Sequence, residues 1–370
     1  MTPRSALTVM AVAGGMFVLG YLTGRGAAGA PKPAMSVKED QPGSLRDSSG
    51  LPPTMPQRLP DAADRAKGAR HRSAIESLLT DGAPPTPLTP EEIASYVQLN
   101  NADAQSLLAA FETSQDIQWL QQAAEAHPDD PRVMFAVINF GDDSIPGDRL
   151  DWIGKLSQAA PDNALADYLS AAELLKRGKP DEAIRSLLGA QGKTTFDDYT
   201  IHTLQAAEEM HTRAGRSPAE AKATAGIQTR LPHLKELRDL GRGMAMLYGE
   251  RVAAGNTQSA DSIAAAGLNM GRHMSVGSGN RYLLNELVGI ATEKIFLDAL
   301  DPNQEHAFLD RPTAELQQEL QKQRDNIKAL AGRFNPETMS DADVIAYFDR
   351  VKLYGEYETL KWLYNRSTGQ

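Results

Sequence analysis

The chain has 370 residues, 41% of them apolar, a formal charge of −10 and no cysteine. Length and apolar content suffice for a core, so disorder throughout is excluded. The acidic balance, with an isoelectric point near 5.3, argues against a phosphate-backbone binder and predicts no nucleic acid among the partners. No disulfide, thiolate metal site, cysteine nucleophile or acylated cysteine is available.

Residues 1–25 read as a membrane-targeting element. Ala6 to Thr23 is an uncharged run of 18 residues between Arg4 and Arg25, close to the ~20 that an α-helix needs to cross a bilayer. Its length favours an uncleaved anchor; the alternative is a signal sequence cut near Gly26–Ala27–Ala28 and secretion of the rest. The expectation is a membrane-anchored protein with its bulk outside the cytoplasm, periplasmic or extracellular. Gly20 and Gly24 form a GxxxG, the spacing that lets two anchors pack closely as a homo-oligomer.

Residues 26–89 change character. Eleven of the chain's 22 prolines fall between Gly26 and Pro90, among Gly, Ser and charged residues. Such a segment cannot bury enough apolar surface to offset its ordering entropy and reads as a disordered tether. Within it, 62–79 has the spacing of one helix with Arg65, Lys67, Arg70 and Arg72 ahead of Ile75 and Leu78.

From Pro90 a helical period sets in and persists to the end, with Thr89 as N-cap and Glu91 and Glu92 complementing the helix dipole. Leu107, Leu108 and Phe111, then Ile117, Leu120 and Ala124, form apolar stripes on either side of 113–116. No stretch alternates like a half-buried strand, so the fold class is all-α.

The clearest local pattern is Pro161 to Gln191, two short helices folded back at Lys176–Pro180. Ala171, Ala183 and Ala190 fall where paired helices must approach closely, Leu174 and Leu187 where apolar knobs lie, and Gly178 at the turn. Pro128 and Pro161, each ending a helix and followed by Asp, stand 33 residues apart. This resembles a tetratricopeptide repeat, whose period is about 34 residues. The resemblance places Ala171 at the small position of the first helix and Ala183 at the alanine of the second. It implies helical hairpins stacked as a solenoid over 90–270, with a groove for a protein or peptide partner. The pattern departs from the family at Asp167, which stands one residue before Tyr168 where an aromatic is expected, and no proline closes the unit near Thr195. Turn glycines recur at Gly215, Gly255 and Gly355, with longer spacings. The alternative is a compact irregular α-bundle.

Residues 271–370 continue or cap the array. Gly267 to Asn280 reads as a long glycine-rich turn. Tyr282 to Leu300 reads as a core helix, with Glu286 and Glu293 on its solvent side. A narrower stripe at Leu316, Leu320, Ile327 and Leu330 predicts an outer helix. Six aromatics crowd the last 24 residues; Tyr347, Tyr354, Tyr357 and Trp362 either seal the end of the array or contact a partner.

The seven histidines are scattered, with no pair at i,i+4 and no HExxH, and there is no GxSxG or phosphate loop. No catalytic residue, cofactor or metal ligand is therefore nominated. The predicted work is that of a membrane-anchored scaffold binding a protein or peptide. Two alternatives stand beside it: a cell-envelope hydrolase of glycan or peptide with an acidic cleft, and a purely structural oligomeric domain.

Overall fold

The computed structural model describes residues 87–276, 282–334 and 339–368. The expected anchor, the tether and the 62–79 helix lie outside them. Among the described residues there are fifteen α-helices and no strand, so the all-α expectation holds. None of these helices is long and apolar enough to cross a membrane.

Helix starts follow from local chemistry. α1 (Pro90–Leu99) opens with a capping box, Thr89 accepting from the Glu92 amide and Glu92 from that of Thr89. α2 (Ala104–Ser114), α3 (Ile117–Ala126), α4 (Pro131–Phe140) and α5 (Arg149–Ala159) each begin after an aspartate, Asp103, Asp116, Asp130 and Asp148, whose side chain accepts from the first turn. Each cap is worth about 1 kcal/mol. These helices pack in succession, α2 on α3, α3 on α4 and α4 on α5.

The predicted hairpin is α6 (Leu165–Lys176) and α7 (Pro180–Gly189). Gly178 turns between them at φ +71°, a conformation that costs a residue with a Cβ about 1 kcal/mol. Ala171, Ala183 and Leu187 are wholly buried, and Leu174 and Ala190 nearly so. The absent aromatic is supplied one position on. Tyr168 is fully buried beside Phe196 with its hydroxyl hydrogen-bonded to His273 Nδ1 at 2.7 Å, while Asp167 pairs with Lys193.

The next pair, α8 (Thr200–Arg213) and α9 (Pro218–Gln228), does not continue this stack. Its principal contacts run back to α1 and α2 and forward to α14 (Asp341–Tyr354). Instead α6 and α7 carry α10 (Pro232–Ala253) and α11 (Thr257–Val276), α6 against α10 and α7 against α11. A Cβ on Gly243 would come 2.4 Å from Leu175 Cδ2, so the α6–α10 seam closes at a glycine.

α11 corrects the expected glycine-rich turn, since it runs as helix through Gly267 and Gly271 to Val276. These glycines let α12 (Leu283–Ala299) approach. A Cβ on Gly267 would meet the Phe296 ring at 2.1 Å, and one on Gly289 would meet the Gly271 carbonyl oxygen at 2.5 Å. Glycines that look like loop formers in sequence serve here as backbone contact between helices. α13 (Thr313–Ala331) covers α12 with Leu316, Leu320 and Ile327, and α15 (Glu356–Thr368) packs on α13 and α14.

Two carboxylates also differ from expectation. α12 is apolar nearly all round and buried on most sides, so Glu293 is only 8% exposed and Glu286 half-buried, not on a solvent face.

Candidate functional site

The loop between α7 and α8 organises the most developed polar site. Asn163, at the start of α6, donates to the Asp197 carbonyl at 2.8 Å and accepts from the Asp197 and Leu165 amides. A short pairing of Asn163 with Thr195 adds to this anchorage. The loop ends at Tyr199, held at φ +56° with its amide donating to Asp197 Oδ1 at 2.8 Å. A left-handed tyrosine persists only where its surroundings over-determine it, as they do here.

Held in this way, Asp198 turns into the interior. Its Oδ2 lies 3.1 Å from His233 Nε2 on α10 and accepts from Asn285 Nδ2 on α12 at 2.9 Å, and its Oδ1 accepts from the Thr200 amide at 3.1 Å. Burial pushes this carboxyl up, but the His233, Asn285 and Thr200 hydrogen bonds outweigh it and hold Asp198 below the usual carboxylate range. Phe135 packs between Tyr199 at 5.8 Å and the edge of His233 at 5.3 Å.

Asp198, Phe135 and Thr200 face a narrow cleft, open to solvent, between α2, α4, α8 and α9. Two arginines stand in its wall. Arg132 forks onto Asp130, with Nε 3.0 Å from Oδ1 and Nη2 2.6 Å from Oδ2. Arg230 donates twice to Glu112 at 3.2 Å, its guanidinium stacked 4.1 Å from the Phe140 ring and 5.1 Å from Phe111. Burial raises the Glu112 carboxyl in spite of Arg230. The carboxylates of the cleft are thus committed to its cations and its loop. The rest of the lining offers the aromatic faces of Phe135 and Phe140 and the two guanidinium groups, a lining suited to binding.

The C-terminal aromatics divide. Tyr347 is buried, its hydroxyl donating to Glu356 Oε1 at 2.6 Å, and it stacks on Phe334 and meets Phe348 edge-to-face. It seals the core and cannot meet a partner, a correction to its nomination as a contact residue. Tyr354 and Trp362 lie outward with Arg350 layered between them, 4.7 and 4.4 Å from the two ring centres. Tyr357 carries Lys361 over its face at 5.4 Å. The repeat positions Ala171, Leu174, Gly178, Ala183, Leu187 and Ala190 gather in the α6–α7 seam, away from the cleft's lining.

Sequence reasoning missed Asp198, His233, Asn285, Arg132 and Arg230, which come from four separate segments, Arg230 lying just ahead of α10 and His233 in its first turn. The one local signal was the double aspartate, Asp197–Asp198, where a repeat-ending proline was absent. Among the described residues no group of three or more His, Asp or Glu is placed to hold a metal.

Fold and cleft together define an all-α protein of packed helical hairpins with an aromatic-walled, arginine-bearing cleft. No family model, curated protein or solved structure matches the chain.

Proposed function

We propose that this protein is a non-catalytic scaffold that binds a protein or peptide segment in the cleft between α2, α4, α8 and α9. Its helical part is an extracytoplasmic, repeat-derived stack held to a membrane by residues 1–25 through the tether. The observation that carries the reading is the cleft itself: Phe135, Phe140 and two oriented guanidinium groups line a recess bounded by helices far apart in sequence. Aromatics and arginine dominate the energetics of protein interfaces. The stacking of α6–α7 on α10–α11 supports the repeat-derived part of the reading.

The test is chemical cross-linking and co-purification of the full chain from membranes, comparing wild type with Thr203→Trp, which fills the cleft from α8. Loss of a specific partner in the variant, with the melting temperature retained, is the expected result. An unchanged partner set would remove the cleft from the reading. Recovery of the wild-type protein in the soluble fraction would remove the anchor.

A further inference from the structure

A second cleft, formed by α11, α12 and α13, has a different chemistry. It opens to solvent, with walls of Leu268, Leu297, Leu316 and Leu320. Two carboxylates line it, Glu319 from α13 and, more deeply buried, Glu293 from the middle of α12. Its position follows from the glycine seam: Gly271 leaves room where a Cβ would lie 2.4 Å from Glu293 Cγ.

The partners of Glu293 are loose. Oε1 accepts from the Ser275 hydroxyl at 3.3 Å, and Arg272 Nε is 3.6 Å from Oε2 on a side chain still half exposed. Charge-assisted hydrogen bonds normally close to about 2.7–2.9 Å, so neither contact balances a buried charge. Of the remaining charged groups, Arg311 pairs with Asp310 and Glu315, and Glu319 on α13, which accepts only from Gln323 at 3.4 Å, is half-buried and keeps more of its hydration than Glu293. Consistent with this deficit, burial raises the Glu293 carboxyl to about 7 against the pull of Arg272 and Ser275.

A leucine-lined recess with one buried, under-compensated carboxylate is complementary to a cation on an apolar stem. We infer that the cleft between α11, α12 and α13 is a binding site for an alkylammonium group, its aliphatic stem against Leu268, Leu297, Leu316 and Leu320 and its ammonium paired with Glu293. The group is either a free amine or a lysine side chain on a partner. Arg272 is the internal cation that such a ligand displaces.

Isothermal titration of the full chain with n-pentylamine, n-pentanol and N-acetyl-lysine methylamide tests this. The amine should saturate the site at least about tenfold more tightly than the alcohol, a difference of about 1.4 kcal/mol. It should bind about tenfold more tightly at pH 8 than at pH 5.5, because proton and ammonium compete for one carboxylate. Glu293→Gln should abolish the preference for amine over alcohol, and Arg272→Gln should tighten amine binding. Saturation by the blocked lysine as well assigns the site to a partner side chain; saturation by the amine alone assigns it to a small molecule. Equal binding of amine and alcohol, an unaltered preference in Glu293→Gln, no tightening in Arg272→Gln, or no saturation by any of the three overturns the inference. If Glu293→Gln does not fold, the amine-to-alcohol ratio and its pH dependence in the wild type decide alone.

Discussion

Glu356 shows how much one side chain carries here. It is the first residue of α15, yet its carboxylate accepts from the Leu283 amide at 2.8 Å, so it caps α12 from 73 positions away while also holding the Tyr347 hydroxyl. Burial raises its carboxyl to about 7, against both hydrogen bonds. A carboxyl held above its unfolded value stabilises the fold below the ordinary carboxylate range and loses that contribution as pH rises toward 7. Glu356→Gln keeps an acceptor without the charge, so it should raise stability at pH 8 by roughly 2–3 kcal/mol and leave it almost unchanged at pH 4.5, read from urea midpoints at the two pH values. Glycines separate in the same way. Gly289→Ala drives a methyl into the Gly271 carbonyl and the Ser275 amide and should cost about 3 kcal/mol. Gly249→Ala, on α10 with open space around its Cβ position, should gain up to about 1 kcal/mol. Thermal melts of the two variants moving in the same direction would contradict the seam described for α11 and α12.

At the scale of elements, most helices were legible because their signals are local. The α6–α7 hairpin follows from Gly178, Pro180 and the alanine spacing, and α1 from Thr89 and Glu92. Placement was less legible. The sequence offers α8–α9 as the next unit of a stack, since Gly215 and the following Ser–Pro mark a hairpin like its neighbour. Its position is set by partners remote in sequence: Glu208 on α8 pairs with Lys352 on α14 at 2.7 Å, and Lys222 on α9 pairs with Asp349 on α14. Glu293 was misplaced for a related reason: the solvent side of α12 carries only the Lys294–Asp298 pair, and Glu293 next to it packs against Gly271 of α11. The cleft residues escaped notice because Arg132, Asp198 and the Arg230–His233 pair come from three separate stretches of the chain. Glu208→Ala removes the more buried of the two carboxylates that Lys222 and Lys352 share, leaving them only the half-exposed Asp349, and should cost roughly 1–3 kcal/mol. Hydrogen exchange should then quicken in α8, α9 and α14 while α6 and α7 keep their protection; uniform loss throughout would refute a localised anchoring role.

For the whole molecule, stability should peak in mildly acidic solution. Glu286, Glu293 and Glu356 all titrate near 7 in the fold, chiefly through burial, so lowering the pH from 8 adds protons to the native state and stabilises it. His211 and His273, held below their usual value by burial, oppose this below about 6.5, their ordinary value. In Asp130, Asp198 and Glu236 burial is outweighed by hydrogen-bonded partners that hold the carboxyls low, and these groups withdraw their contributions as pH falls below the usual carboxylate range. Melting temperature should therefore be highest between about pH 5 and 6.5, and a monotonic rise to pH 8 would refute the assignment. The path of α8–α9, from α2 near the start to α14 near the end, has a consequence for how the protein is made. A simple array can fold unit by unit as it leaves the ribosome. Here the middle hairpin reaches the exit tunnel well over a hundred residues before α14 is synthesised, and until then one of its faces has no mate. The face of α9 that packs on α14 is covered only once α14 has been made, so docking of this hairpin is completed after α14 follows it.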